Sequence, residues 1–292
     1  MNLENTLPLA GAKELRPLDH SGLRPSIRWP WGKLLAARLG AQKGKLLGLI
    51  LPVTILSVWE LVVRFGLVKP LFVPAPESVV AAFYEMLMHQ GLLRDFWTSA
   101  SVVGQGFLIG AAGGLLVGFA TGLSKTVEQL LGPVLDSIRQ VPALAWFPLI
   151  ALWVGIGSPA KIVIIAKTVF FPVFLNTLQG IRAVPREYIE VGQVFNYSKA
   201  LLLRRIILPA ASPSIFVGLR YGAGLAWAFI IAAEMLGGRY GLGYLLTRSQ
   251  ELLLTDQLFV VIVVIGLVGF SVDVVFRVAE RHVLRWKRGF EG

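Results

Sequence analysis

Four polar side chains lie inside long apolar stretches of the sequence and have the chemistry to bind an anion. Lys167 and Arg220 carry positive charge, and Asn176 and Gln179 carry amides that donate hydrogen bonds. Ionisable residues in a membrane span are energetically costly and are therefore candidates for function. These side chains are therefore candidates for contact with a bound anion. The alternative, favoured for each of them, is a structural role, in which Arg220 reaches the interface or pairs with Asp136.

A basic loop, 185–213, separates two of the apolar stretches and contains a second candidate site. Its first part, 186–195, consists of good to moderate helix formers and carries Glu190, which can cap backbone amides or pair with a basic residue of a partner. Asn196 follows this helix. Asparagine is second only to glycine in tolerating a left-handed turn, so we predict a bend at this residue.

A second helix is predicted in the same loop, directly after the bend. Ser198 is placed to cap it, and the helix should cover 199–207. A proline disfavours the helical conformation in the residue before it, so we predict that this helix stops at Leu208 and Pro209. The 185–213 loop should thus hold two short helices joined by a fixed bend.

The composition indicates which elements position these residues. Hydrophobic residues make up 55% of the chain and charged residues 15%, and the mean hydropathy is +0.69. Soluble domains carry about 25% charged residues, and the apolar residues here are clustered in blocks long enough to cross a bilayer. The chain is therefore predicted to be an all-α integral membrane protein. The six predicted spans are 46–63, 101–123, 134–153, 160–179, 214–236 and 258–276.

Two of the predicted spans have features that affect packing. The span 101–123 has glycine at every fourth position from Gly106 to Gly122, which places five glycines on one ridge. Such a ridge lets a second helix approach closely, and we assign it to helix packing. The span 134–153 contains Pro142 and Pro148 and should be bent or broken.

The distribution of Lys and Arg predicts the orientation in the membrane. With six spans, the segments 1–45, 124–133, 180–213 and 277–292 share one side and carry eight, one, five and five of these residues, 19 in all. The opposite side carries five, and the remaining four, including Lys161, lie in spans. By the positive-inside rule, both termini and the 185–213 loop are cytoplasmic. The net charge of +11 then reflects topology and not nucleic-acid binding.

The spacing within the 185–213 loop resembles the cytoplasmic loop of membrane subunits of bacterial ATP-binding cassette (ABC) importers. That family pattern is Glu-Ala-Ala, three residues, Gly, nine residues, Ile, one residue and Leu-Pro. The matching residues here are Glu190, Asn196, Ile206, Leu208 and Pro209. The chain departs from the pattern where Val191 and Gly192 replace the two alanines and where Asn196 replaces the glycine. Gly192 keeps a small surface at a cost of about 1 kcal/mol in helix propensity.

Further motifs are similar to those of the permeases for aliphatic sulfonates, taurine and nitrate, and most similar to the aliphatic sulfonate permeases. They begin at Phe72 (Phe-Val-Pro-Ala-Pro), Gln140 (Gln-Val-Pro-Ala-Leu-Ala-Trp-Phe-Pro-Leu), Trp153 (Trp-Val-Gly-Ile-Gly), Gly218 (Gly-Leu-Arg-Tyr-Gly-Ala-Gly-Leu-Ala-Trp), Gly241 (Gly-Leu-Gly-Tyr-Leu) and Leu254 (Leu-Thr-Asp). The resemblance covers 46–288, the expected permease domain. The segment 1–45 is expected to be a disordered cytoplasmic tail.

The resemblance implies a type I importer permease with the MetI-like architecture in the bacterial inner membrane. It also implies a homodimer, two copies of a cytoplasmic ATPase and an extracytoplasmic substrate-binding protein. The sequence has no phosphate-binding G-x-x-x-x-G-K-[ST] motif, so ATP should be bound by another chain, and no cofactor is expected. A permease for taurine, nitrate or another small substrate, a secondary transporter of small anions and a membrane-embedded enzyme are the alternatives. The sequence shows no clear inverted repeat, which disfavours a secondary transporter. It also shows no catalytic constellation, which disfavours an enzyme.

Overall fold

The computed structural model describes residues 50–69 and 71–284, and within these ranges the chain is helical with no strand. The predicted tail 1–45 and the end of the predicted permease domain, 285–288, lie outside the described residues. The chain divides into two compact units between residues 57 and 58. Of the first unit, 50–57 are described and are helical; the second unit, from residue 58 onward, contains every site discussed below.

The helices follow one another with short connections. A 3₁₀ turn covers Ala143–Trp146, and a π-helical turn covers Leu203–Ile207. The helices are α1 (50–64), α2 (Pro76–Met88), α3 (Leu92–Leu123), α4 (Lys125–Gln140), α5 (Phe147–Val154), α6 (Ser158–Arg182), α7 (Arg186–Val194), α8 (Lys199–Leu202), α9 (Leu208–Gly237), α10 (Leu242–Glu251) and α11 (Thr255–Val283).

Within the described residues, four helical segments are long and apolar enough to cross a membrane. They are α3, α6, the continuous segment Lys199–Gly237 and α11, and they correspond to the second, fourth, fifth and sixth predicted spans. The third predicted span is α4 followed by Ala143–Val154, with a bend of 89° between them, so the predicted break is confirmed. The all-α membrane fold is therefore confirmed. The count of six stays a prediction, because the first predicted span begins outside the described residues.

Helix α3 packs on α6 along the glycine ridge, as predicted. A β carbon added to Gly110 would lie 2.3 Å from the Ala166 carbonyl oxygen, and one added to Gly114 would lie 2.7 Å from that of Phe170. Only a residue without a side chain allows the two backbones to come this close. The packing role of the ridge is confirmed.

The second helix of the 185–213 loop does not stop at Leu208 and Pro209, so that prediction is wrong. The segment Lys199–Gly237 is helical throughout its 39 residues. Pro209 lacks an N–H group and would clash with the carbonyl four residues earlier in a regular helix. The π-helical turn Leu203–Ile207 directly precedes Leu208 and Pro209, and its wider winding accommodates the proline without ending the helix.

Helix α3 extends beyond the predicted span 101–123 at its N-terminal end. It begins at Leu92, and its first turn packs inward through Leu92 and Asp95. In α2 the buried residues are Ala82 and Met86.

Candidate functional site: the 185–213 loop and the polar residues of the spans

Gly192 is the point at which α7 contacts the helix that follows it. The residue is buried, and a β carbon added there would lie 2.6 Å from Leu202 Cδ1 and 2.9 Å from Ile206 Cδ1. Any side chain would push α7 away from these two residues. Gly192 and Ile206, both named from the sequence motif, are thus brought into contact.

Asn196 adopts the left-handed conformation that was predicted for it, with φ of 53°. Its N–H donates to Gln193 O at 2.9 Å, and the Tyr197 N–H donates to Gly192 O at 2.9 Å. This pair of bonds is the Schellman arrangement, which satisfies the last carbonyls of a helix. The Ser198 hydroxyl then accepts from Leu201 N at 3.3 Å and caps α8. The two-helix loop with a fixed bend is therefore confirmed up to α8.

The exposed face of α7 combines a carboxylate with large apolar side chains. Glu190 is exposed and forms no ion pair with any other described residue. Tyr188, Val191, Val194 and Phe195 are exposed by 57%, 53%, 79% and 70%. Sequence reasoning missed these apolar residues, although Tyr188, Val191 and Phe195 recur at the i, i+3 and i+7 spacing of one helix face. Such a patch, with a charge beside it, is typical of a protein contact.

Lys167 and Asn176, two of the predicted anion-binding residues, make contacts within the fold. Lys167 Nζ donates to Val141 O at 2.9 Å and lies 5.4 Å from the centre of the Phe171 ring. Asn176 Nδ2 donates to Pro172 O at 2.8 Å, one turn earlier in α6. Lys167 therefore ties α6 to the bend after α4. These contacts agree with the structural alternative.

Arg220 pairs with Asp273, and the alternative partner Asp136 was wrong. Arg220 Nε lies 2.7 Å from Asp273 Oδ1, and its Nη1 lies 3.7 Å from Glu280. Asp136 instead pairs with Arg139 at 3.2 Å. Helix α9 packs beside α11, so Arg220 on α9 meets carboxylates on α11, later in the chain. Because two carboxylates face it, the charge of Arg220 is already compensated.

The four predicted residues do not share one cavity. Arg220 lines a cavity of about 390 Å³ together with Asp273 and Glu280, and none of the other three residues lines it. Gln179 is exposed near the end of α6, close to the 185–213 loop. Within the described residues, the cavity at Arg220 therefore does not bring the four predicted residues together.

A buried polar cluster at the other end of the molecule was not predicted. It consists of Asp95, Ser99 and Glu234, which are 2%, 0% and 1% exposed. The Ser99 hydroxyl donates to the Glu234 carboxylate at 2.8 Å, and the Gly243 N–H donates to it at 2.9 Å. The Gly241 N–H donates to Asp95 at 2.9 Å. The cluster therefore joins α3 and α9 to the turn before α10.

Glycine at position 241 is required by this cluster. Its φ is 113°, and a β carbon there would lie 2.3 Å from Glu234 Oε1. The signal available from sequence was the Gly241-Leu-Gly243 motif a few residues after an acid at the end of an apolar stretch.

Segments that were predicted to share a side of the membrane are in contact. At one end of the helices Arg182 pairs with Glu128, which joins the predicted segments 180–213 and 124–133. At the opposite end Asp95 and Gly241 join the predicted segments 64–100 and 237–257. The grouping of segments is consistent with the structure, whereas which group is cytoplasmic stays a prediction.

The arrangement of helices is that of importer permeases. One chain of the MetNI methionine ABC transporter, in inward-facing conformations, matches with a TM-score of 0.54 and 17% identity, over 65% of this chain and 97% of that chain. An amino acid ABC transporter solved with histidines matches with a TM-score of 0.56 and 19% identity, over 70% of this chain and 97% of that chain. At these identities the similarity establishes the fold.

Sequence comparison defines the family. The family model described as "Binding-protein-dependent transport system inner membrane component" matches residues 110–285. The aliphatic sulfonates transport permease protein SsuC of Bacillus subtilis is 36% identical over 85% of this chain and 90% of its own length. SsuC of Escherichia coli is 38% identical over 82% of this chain and 91% of its own, and the taurine permease TauC of Escherichia coli is 32% identical over 89% and 92%.

The chain belongs to the family of inner membrane components of binding-protein-dependent transport systems. It is an ABC importer permease from the group that includes the aliphatic sulfonate and taurine permeases.

Proposed function

We propose that this permease carries aliphatic sulfonates across the membrane and that ATP hydrolysis on a separate subunit drives the transport. The observation that supports the substrate is the identity of 36% and 38% to two permeases named for aliphatic sulfonates. The relatives named for taurine and for bicarbonate are each 32% identical. The proposed substrate is thus a small oxyanion, and an aliphatic sulfonate is the leading candidate.

The exposed face of α7 is the proposed docking surface for the ATPase. Glu190 offers a charge, and the neighbouring exposed apolar side chains offer surface that a partner can bury. Gly192 and Asn196 hold α7 in a fixed position relative to α8. The ATPase can shift the membrane helices only if its contacts with the permease differ between two conformations. A rigid docking element is needed to pass that difference on to the membrane helices.

The continuous helix from the loop into the membrane supplies the mechanical connection. Because Lys199–Gly237 does not break at Leu208 and Pro209, a displacement of α7 and α8 is passed directly to the membrane-spanning part of α9. A helix is stiff along its axis over this length, whereas a flexible linker would absorb the motion. We therefore assign Ile206, Leu208 and Pro209 to the helix that transmits the motion. We assign Glu190, Gly192 and Asn196 to the docking element.

The proposed complex contains two copies of this permease, two copies of a cytoplasmic ABC ATPase and a substrate-binding protein on the outer side. The charge asymmetry of 19 to five supports cytoplasmic termini and a cytoplasmic 185–213 loop in a multi-pass inner membrane protein. The permease domain would cover 46–288, preceded by the tail 1–45. Lys167, Asn176, Gln179 and Arg220 would stabilise the path and not select the substrate.

Uptake by the reconstituted complex tests the substrate. The permease, its ATPase and its binding protein are placed in proteoliposomes, and the uptake of radiolabelled ethanesulfonate, taurine and bicarbonate is measured with and without ATP. We expect ATP-dependent uptake of ethanesulfonate in preference to the other two. Preferential uptake of taurine or bicarbonate would refute the sulfonate assignment, and uptake without ATP would refute an ATP-driven importer.

A further inference from the structure

A cavity of about 450 Å³ lies beside the Glu234 cluster, at the end of the molecule opposite the 185–213 loop. It is bordered by Thr98 of α3, by Ser158 and Lys161 of α6, and by Arg239 and Tyr240 of the turn before α10. Two of its lining residues are cationic and none is acidic. We call it the cationic cavity. Its size falls within the range of about 300 to 1,000 Å³ that is usual for small-molecule sites.

Lys161 is the residue that makes this cavity unusual. It is only 4% exposed, yet its ammonium group has no hydrogen bond and no ion pair within residues 50–69 and 71–284. Glu234, which is also buried, belongs to the neighbouring polar cluster. The carboxylate oxygens of Glu234, however, already accept hydrogen bonds from Ser99 and Gly243. The side chain is buried while its ammonium group is accessible from the cavity, so an anion in the cavity would provide both a hydrogen-bond acceptor and a compensating charge.

Other features of the cationic cavity also favour an anion. Gly157 and Ser158, which line it, form the start of the 25-residue helix α6, where the helix dipole is positive. Arg239 is exposed at the rim. The guanidinium of Arg94 lies 4.8 Å from the centre of the Tyr240 ring, which brings a third positive charge close to the lining. The cavity that contains Arg220 differs, because Asp273 and Glu280 also line it.

An apolar cavity of about 900 Å³ adjoins the cationic cavity. The two cavities share Ile156 and Gly237 in their lining. The other side chains that line the second cavity are apolar and come mainly from the 3₁₀ turn and α5, with Leu236 from α9, and no charged residue lines it. One ligand could therefore place a charged group in the first cavity and an apolar chain in the second.

We propose that the two adjoining cavities form one binding site for an alkanesulfonate at the outer end of the permease. The sulfonate group binds Lys161 and Arg239, and the alkyl chain lies in the apolar cavity. A sulfonate is fully ionised at neutral pH and offers three acceptor oxygens, which suits two cations and a helix N-terminus. Taurine would place its ammonium group against apolar walls, which is unfavourable. This inference rests on the proposed function and identifies the residues that select its substrate.

Direct binding to the permease, without the binding protein, tests the site. The permease co-purified with its ATPase is titrated with butanesulfonate in a calorimeter. We expect Lys161→Gln to weaken binding about tenfold or more, because it removes a charge-assisted contact. Lys161→Arg should retain most of the affinity. Arg248→Gln is the matched control, because Arg248 is exposed on α10 and lines none of these cavities.

A series of chain lengths tests the apolar cavity. From methanesulfonate to octanesulfonate we expect the affinity to rise about fourfold for each methylene that becomes buried. Ala145→Phe, which fills the apolar cavity, should abolish that rise and leave methanesulfonate binding unchanged. Affinity that does not depend on chain length in the unmodified protein would overturn the proposed alkyl site.

The two proposals can fail separately. If Lys161→Gln does not fold, as judged by loss of ATPase co-purification, Arg239→Gln at the exposed rim replaces it. Equal affinities in the Arg239 or Lys161 variant and the Arg248 control would overturn the sulfonate site. If the full complex transports ethanesulfonate but the permease with ATPase does not bind sulfonates, the site is wrong and the function stands. Binding without any uptake would support the site and refute the transport assignment, and absence of both would refute both.

Discussion

Asn196 occupies a conformation that most side chains avoid, and this makes it a sensitive position in the 185–213 loop. With φ of 53° and two backbone hydrogen bonds around it, the residue sets the angle between α7 and α8. For a residue with a β carbon, the left-handed conformation costs about 1–2 kcal/mol, and asparagine is among the exceptions. The turn therefore depends on the residue type at this one position.

Replacement of Asn196 separates a role in the turn from other roles. We expect Asn196→Gly to retain transport and Asn196→Val to reduce it several-fold, because a β-branched residue strongly disfavours positive φ. The measurement is ATP-dependent sulfonate uptake at equal amounts of inserted protein. If glycine and valine have the same effect, the left-handed turn does not matter for coupling.

Glu190 is the residue through which we expect charge to act on the ATPase contact. Glu190→Lys should lower ATP hydrolysis stimulated by loaded binding protein, because it replaces an attraction at the exposed docking surface by a repulsion. The free energy of docking should become less favourable by about 1 kcal/mol, which weakens the affinity roughly fivefold. The loss should be larger if the contact excludes water. Insertion should persist, since the change adds positive charge to a loop on the predicted cytoplasmic side.

Glu187→Lys provides the control for this charge reversal. Glu187 is exposed on the same helix and lies outside the sequence motif, so its reversal changes the net charge of the loop equally. ATPase rates and co-purification of the ATPase are compared for the two variants. Full stimulation and normal co-purification of the Glu190 variant would remove Glu190 from the docking surface.

At the scale of elements, the contact between α3 and α6 depends on the glycine ridge. Gly110→Leu should destabilise the protein severely, because its β carbon would overlap the Ala166 carbonyl and neither backbone can move without separating the helices. Gly104→Leu is the matched control on the same helix, since a β carbon there meets no atom within 4 Å. The yield of monodisperse complex in detergent measures the difference. Equal yields would show that the two helices can separate at little cost.

The continuous helix from α8 to α9 explains how the loop and the membrane domain move together. The π-helical turn before Pro209 keeps the backbone helical where the sequence indicates a stop. A π-helical turn interrupts the regular hydrogen-bond ladder and is frequent at functional sites. The loop and the membrane-spanning part of α9 are accordingly one element, and not two elements joined by a linker.

At the scale of the whole molecule, the topology can be tested in intact cells because the sequence contains no cysteine. Phe195→Cys in the 185–213 loop and Leu252→Cys in the turn after α10 place single thiols at positions exposed by 70% and 56%. An impermeant maleimide should label the residue-252 thiol in cells whose outer membrane is permeabilised. The residue-195 thiol should react only after the inner membrane is opened. The reverse pattern would invert the predicted orientation.

The sequence by itself determined the features that depend on local composition and periodicity. Clustered apolar residues identified the spans, the four-residue glycine spacing identified the close contact of α3, and the tolerance of asparagine for positive φ identified the bend at Asn196. Each of these follows from residues that are near one another in the chain. Their physical causes, hydrophobic length, helix geometry and backbone sterics, act without knowledge of distant neighbours.

Only the tertiary structure decided which distant groups meet. Arg220 pairs with Asp273, 53 residues away, and not with Asp136, because α9 packs beside α11. Lys161 was one of several cations counted inside spans, and its burial beside a cavity depends on α3, the end of α9 and the turn before α10, which pack around it. The stability of a buried charge is set by the polar and charged groups around it, and here these come from helices far apart in sequence.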